Sequence, residues 1–385
     1  MEIKSFNETK QLREPDLFLF ASIFVLVGIG FAMSYSASAV YAYRVFGDSF
    51  YFLKRQIIWG AIGLFALFIF QGIDYRNHAK YSRIMIVVSI LALIAVLIPG
   101  IGSSIKGSSR WINLGFMNIQ PAEFVKLAVV IYLVNVYSAE AKENRVIQLL
   151  APMIVISIIF ILVMLQPDFG TAMNLLLISA FIIFVSGFPM FYIFFLSILS
   201  IPMFYLMIYQ VSYRWNRILA YIDPWQDRYG VGYHVIQSFT AFKKGGLLGV
   251  GLGLGTQKLV RLPEPHTDFV FAVIAEEAGL IGTVFIAIIF CFVFWRGMLI
   301  SLGAPDDFGR FLAIGLSLMI IVQAFVNMGV VTGILPTTGV PLPFISYGGS
   351  SLLSNMIAAG ILLNISRHRE TVAREAKFEE VYNHE

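Results

Sequence analysis

Long runs without a single charged residue dominate this chain and limit what it can fold into. A helix needs about 20 mostly apolar residues to cross a bilayer. Leu17–Tyr43, Gln56–Ile73, Ile84–Ile105 and Val146–Pro167 each supply such a run. Phe169–Tyr213 is too long for one helix and breaks at Gly187-Phe188-Pro189 into a sixth and a seventh span. Phe311–Ser366 holds two more, separated by the Gly/Pro-rich stretch Thr332–Ser350. Two further spans carry charge: residues 120–139 contain Glu123 and Lys126, and 269–296 contain Glu276 and Glu277. The expected fold is an all-α polytopic membrane protein with ten transmembrane helices. A long extracytoplasmic loop, residues 210–268, joins helices seven and eight. Composition agrees: 13% of residues are charged, against about a quarter in soluble domains, so lipid must solvate much of the surface.

Ten spans place both termini on one side. The Lys/Arg bias of the short loops makes that side cytoplasmic, once the basic 210–268 loop is set aside. Residues 1–16 mix Lys4, Lys10 and Arg13 with Glu2, Glu8, Glu14 and Asp16, unlike the short positive leader of a signal peptide. The net charge of +4 reads as basic loops beside lipid headgroups, not as a nucleic-acid surface. The lone Cys291 permits no intrachain disulfide, and five scattered histidines do not make a zinc site of the usual kind.

Charge at membrane depth is expensive, so each such group is a functional candidate. Glu123 and Lys126 lie three apart on one helix face, as a stitching pair or as part of a polar cavity. Asp168, in Gln166-Pro167-Asp168, and Arg55 stand at helix ends where they could join that cluster. Arg110-Trp111 can anchor at headgroups or hold a phosphate over an aromatic face. The 210–268 loop carries Arg214, Arg217, Lys243 and Lys244, and long loops are commonly functional. Its glycines 249, 251, 253 and 255 lack the dinucleotide-binding spacing and read as an interfacial re-entrant segment. Pro263-Glu264-Pro265-His266-Thr267-Asp268 is a proline-stiffened turn ending in an acid at the membrane surface, a suitable place for a base. Thr332–Ser350 beside two spans must be covered by protein or water, so it should re-enter the bundle and line a cavity.

SSRWINLGFMNIQPAEFVKLA, QPDFGTA, DPWQDRYGVGYHVIQS, LPEPHTDFVFAVIAEE and GILPTTGVPLPFISYGGSSLL together resemble the SEDS (shape, elongation, division, sporulation) family. This is the FtsW/RodA group of bacterial cell-wall polymerases. DPW, QKL, PEPHTDF, QAFVN and GGSSLL look more like the FtsW branch; GYH and GTQ lean towards RodA. Ala122 stands where the family often has Ser.

The resemblance implies a single SEDS-type transmembrane domain over residues 1–370, with 371–385 as a cytoplasmic tail, in the bacterial plasma (inner) membrane. It implies a peptidoglycan glycosyltransferase that polymerises lipid II at the outer face. A class B penicillin-binding transpeptidase would be its partner, with other divisome or elongasome membrane proteins. Asp268 maps to the family's essential acid and would take the acceptor hydroxyl's proton. Arg110, Trp111, Arg214, Arg217, Lys243, Lys244 and His266 are the candidates for holding substrate. Arg55, Glu123, Lys126 and Asp168 would form a cavity cluster below the site. A divalent cation (Mg or Mn) suits pyrophosphate chemistry, although no motif demonstrates one. A lipid II flippase and a non-catalytic division scaffold are the rival readings.

Overall fold

The structure, a computed structural model, describes residues 13–105, 108–113, 115, 117–138, 145–187, 209, 212–230, 232–260 and 265–368. The helices are α1 Leu17–Phe46, α2 Tyr51–Gly72, α3 Arg76–Leu97, α4 Pro121–Ser138, α5 Arg145–Leu165, α6 Phe169–Val185, α7 Ser212–Ile222, α8 Tyr233–Gly245, α9 Gln257–Val260, α10 Val270–Leu302, α11 Asp307–Val331 and α12 Gly349–Arg367. Among the described residues, seven of these are long and apolar enough to cross a membrane, and Leu150–Leu165 and Phe169–Val185 are shorter apolar helices. They fall where spans one to six and eight to ten are expected. The expected seventh span and the tail 371–385 lie outside the described residues.

Asp side chains start three of the helices. Asp16 accepts from Leu19 N at α1, Asp168 from Thr171 N at α6 and Asp306 from Gly309 N at α11, satisfying amides that helix geometry leaves without partners. The centre of the bundle is α4, α11 and α12, buried along most of their length. α2 crosses α12 closely because Gly63, Gly349 and Gly360 leave room for Met356, Trp59 and Leu67, the small-residue packing that membrane helices favour. At one end of the bundle Arg13 N donates to Arg367 O (3.0 Å) and Asp16 N to Ser366 Oγ (3.0 Å). The start of α1 and the end of α12 therefore meet on the same side.

One expectation needs correction. The third span stops at Leu97, because Pro99 and Gly100 interrupt it, and Gly102–Ile105 form a strand. A small sheet accompanies the mostly helical fold: β1 Gly102–Ile105, β2 Ser108–Asn113 and β3 Asn118–Ile119 pair antiparallel in that order. The 210–268 loop contains the short helices α7, α8 and α9.

α10 is 33 residues long, about 50 Å at 1.5 Å per residue, more than a bilayer core requires. Gly279, at φ 67°, kinks it. Before the kink Val270–Glu277 are buried; beyond it Leu280, Ile281, Val284, Phe285 and Ile288 are exposed. Gly279 thus marks where the helix passes from protein cover to lipid. The kink frees backbone groups, and the glycine-rich loop after α8 takes them. Val250 N and Gly251 N donate to Glu276 O and Glu277 O (2.9 and 3.0 Å); Leu280 N and Ile281 N donate to Gly246 O and Leu247 O (2.9 and 3.2 Å). Glycine is required for this approach, because a Cβ on Gly249 would lie 2.1 Å from Glu277 O.

Candidate active site

The turn Pro265–Phe269 leads into α10 at the end of the bundle opposite the chain's described ends. Its backbone is held by the segment between α11 and α12. Asn327 Nδ2 donates to Asp268 O (2.8 Å) and to Val340 O (2.7 Å). Ser346 Oγ donates to Thr267 O (2.6 Å), and Tyr347 N to His266 O (2.8 Å). The Asp268 side chain is half-buried and points towards Gly339, where an added Cβ would sit 3.3 Å from Oδ2. Glycine at 339 (φ 78°) lets the backbone of this segment lie close to the carboxylate. Residues 332–350 do re-enter the bundle: Val340, Leu342, Phe344 and Ile345 are buried.

Arg217 on α7 donates from Nη1 to Thr337 O (3.0 Å), and Tyr221 Oη donates to Ile334 O (3.0 Å). α7 is thus pinned to the same segment, around a cavity of about 90 Å³ lined by Arg217, Tyr221, Phe239, Pro336 and Thr337. On the other side the start of α6 abuts it, since a Cβ on Gly170 would lie 2.3 Å from Thr338 O. The strand of backbone from Thr337 to Val340 thereby brings Arg217, Asp268 and the Asp168 corner together.

That corner is closed. Asp168 accepts from Gln120 Nε2 (3.0 Å) and faces Arg110 Nη1 (3.6 Å). Arg110 also donates to Gln166 O (3.3 Å) and Pro167 O. Trp111 is half-buried in β2, opposite Ser103. Lys126 instead bridges Glu123 (2.9 Å) and donates to Gln323 Oε1 (2.7 Å). Gln323 Nε2 continues to Pro341 O (3.0 Å) and Ser351 Oγ (3.2 Å). Arg55 lies over the Tyr51 ring (4.5 Å) and hydrogen bonds with Tyr347. Burial pushes the Tyr347 hydroxyl above its usual range, and Arg55 offsets part of this. The expected single cluster is therefore three groups, because each charge finds a nearer partner: Glu123–Lys126–Gln323, Asp168–Gln120–Arg110 and Arg55–Tyr347.

His266 is buried among Tyr41, Phe52 and Tyr347, with ring centroids 6.0, 4.5 and 5.8 Å away. It packs the turn against α1 and α2. Lys243 and Lys244 are exposed at the end of α8, and Lys244 Nζ donates to Thr256 Oγ1 (2.7 Å), next to Glu276. They flank the glycine-rich loop, roughly 12 Å along α10 from Asp268 by helical rise. The side chains of Arg214 and Glu264 lie outside the described residues. Asn327 and Gln323, which pin the re-entrant segment, enter the sequence reading only as the ends of QAFVN, with no role in the site. Two amides spaced i,i+4 in an otherwise apolar span were the available signal.

Against known proteins, the chain matches the family model for FtsW, RodA and SpoVE, described as cell cycle protein, over residues 17–371. It is 44% identical over 361 residues to a probable peptidoglycan glycosyltransferase FtsW of Geobacter metallireducens, covering 93% of this chain and 96% of the relative. It is 41% identical over 362 residues to stage V sporulation protein E of Bacillus subtilis, covering 94% and 99%. Among solved structures it is similar to one chain of a peptidoglycan synthase complex that coordinates polymerization and crosslinking (TM-score 0.76, 27% identity, 92% and 98% covered). It is also similar to the rod shape determining protein RodA of Thermus thermophilus (TM-score 0.67, 26% identity, 93% and 98% covered). With its membrane-spanning helices and its matching motifs, the chain is an integral membrane protein that belongs to the FtsW/RodA/SpoVE (SEDS) family, on its FtsW-like side.

Proposed function

We propose that this protein is a peptidoglycan glycosyltransferase that polymerises lipid II into glycan strands at the outer face of the bacterial plasma membrane. The observation that carries the reading is Asp268. It is a half-buried carboxylate at the head of α10, with its backbone clamped by Asn327 and its side chain against Gly339 of the re-entrant segment. In the reaction Asp268 takes the proton of the acceptor sugar hydroxyl as the oxygen attacks the donor's anomeric carbon. The bond from that carbon to the lipid pyrophosphate breaks, and the leaving group carries away the electron pair. Its charge requires cations, and Arg217 on α7 is a candidate, held by Thr337 of the segment that also faces Asp268. Arg110, locked on the Asp168 corner, serves to shape the rim. Lys243 and Lys244 are suited to lipid phosphates at the interface.

Among the described residues no three His, Cys, Asp or Glu side chains gather to hold a metal ion. A divalent ion would instead take one or two carboxylates together with the substrate's pyrophosphate oxygens. The cytoplasmic placement of both termini is supported by the loop charge bias and by the meeting of α1 and α12 at one end. An impermeant reagent should label a cysteine at Gln226, but not one at Asn383, in intact cells. A class B penicillin-binding protein is the partner that the solved synthase complex favours. Its transmembrane helix would dock on the exposed face Ile281, Val284, Phe285 and Ile288 of α10. Production of glycan chains from purified lipid II in detergent tests the assignment. A flippase or scaffold would make none, because both sugars are already accessible there.

A further inference from the structure

We infer that Glu277, Lys258 and Ser36 form a latch that positions Asp268, an inference that rests on reading Asp268 as the base. The Lys258 and Glu277 side chains are 4% and 0% exposed and form an ion pair. Lys258 Nζ also donates to Ser36 Oγ (2.8 Å) on α1 and to Gly253 O (3.0 Å). Glu277 accepts from Ser36 Oγ (2.8 Å) and from Gly253 N (3.0 Å). One turn thus ties α1, α10 and the glycine-rich loop together. Its neighbour Glu276 accepts from Thr256 N (2.8 Å) and Gln257 N (3.0 Å), capping α9. The latch and Asp268 therefore share one helix, with Glu276 and Glu277 in its first turns and Asp268 in the turn that leads into its start.

The energetics point to geometry as the latch's purpose. Desolvating two charges offsets most of their attraction, and apolar replacements of a buried pair are often neutral or stabilising. Apolar groups would also suit the neighbourhood: Lys258 borders a groove of about 700 Å³ lined by Phe31, Tyr35, Phe50, Leu53 and Leu252. What apolar packing would not supply is a single angle and depth for the chain that carries Asp268. Small misplacement of a reacting group costs about 10²-fold in rate per ångström. Lys258 and Glu277 are positioning residues in this account, acting through Asp268.

The test measures lipid II polymerisation and thermal stability of the full-length protein. Glu277→Gln should lower kcat about 10²-fold with KM little changed, while Lys258→Arg keeps most of the rate. The paired change Lys258→Met with Glu277→Gln should regain the thermal stability that the single changes lose, yet leave kcat low. Recovery of kcat together with stability in that pair would show a merely structural ion pair and overturn the inference, as would unchanged kcat in Glu277→Gln. If the single variants fail to fold, the paired variant alone decides. A readout independent of activity is maleimide labelling of Thr267→Cys in a Cys291→Ser background. It should be faster with Glu277→Gln, and equal rates would overturn the latch. If the wild-type protein makes no glycan, the function reading fails while the labelling still judges the latch.

Discussion

Asn327 is a small residue to carry so much of the site. Its amide nitrogen serves two carbonyls, Asp268 O and Val340 O, on two segments far apart in the sequence. Asn327→Leu leaves both without that donor, at a cost of about 1–3 kcal/mol for buried unsatisfied groups. The expected outcome is a lower midpoint of thermal unfolding in detergent and a larger loss in polymerisation than in lipid II binding. The buried charges give a second residue-scale expectation. Lys126 meets Glu123 and Gln323, whereas Asp168 meets Arg110 and Gln120. A double-mutant cycle on Lys126 and Glu123 should show coupling of 0.5–3 kcal/mol, roughly, and one on Lys126 and Asp168 should be close to additive. The sequence offers both a Glu123–Lys126 pair on one helix face and a wider cluster with Asp168. Spacing alone makes the first readable but does not choose between them. Asp306, outside the spans, adds a pH dependence. Burial raises its carboxyl pKa, but the Tyr75 hydroxyl, the Gly309 amide and Arg76 outweigh it and hold the value below the usual range. Its contribution to stability is therefore present above the unfolded pKa of about 3.9 and is lost as pH falls through the folded value. Unfolding midpoints measured downwards from pH 5 should show that loss in the wild type and not in Asp306→Asn.

At the scale of elements, Gly279 and the glycine-rich loop act as one joint. Four backbone hydrogen bonds cross it, and a Cβ on Gly279 would lie 2.4 Å from Gly249 N and 2.5 Å from Leu247 O. Gly279→Ala should straighten α10, displace the loop and reduce polymerisation, with protease nicking of residues 246–255 as the direct measurement. The kink removes Gly279 from the helical face of Gly282 and Ala287, and Gly282 sits against Ala278 of its own helix. The proposed docking of a partner helix therefore falls on the lipid-facing residues beyond the kink. Helix positions were legible in the sequence because hydrophobic length alone reports them: α1 begins at Leu17 in both readings. The three-stranded sheet was not, since Ser103, Ser104 and Ser109 pair by backbone register and leave little pattern in their side chains. Nor were α7 and α8, whose residues are too polar to register as spans.

Across the whole molecule, the site is made by sequence-distant pieces converging on one stretch of backbone. Thr337–Val340 touches α7 through Arg217, α6 through Gly170, α11 through Asn327 and the head of α10 through Asp268. The motif around Asp268 and the re-entrant character of 332–350 were both readable, one from its proline-flanked acid and the other from its glycines and prolines. Their mutual contact was not, because it depends on how α11 and α12 pack. On the proposed reading, this convergence aims one base. Asp268→Asn keeps the shape and the backbone clamp while removing basicity, and a general base supplies about 10²- to 10⁴-fold. The most direct measurement is the rate of glycan polymerisation from lipid II by purified wild-type and Asp268→Asn protein at matched folded concentration. Loss of polymerisation in the variant, with expression, membrane insertion and transpeptidase binding retained, is the predicted result. Polymerisation by Asp268→Asn at a rate near wild type would contradict the account and move the search to Asp223 and Glu264.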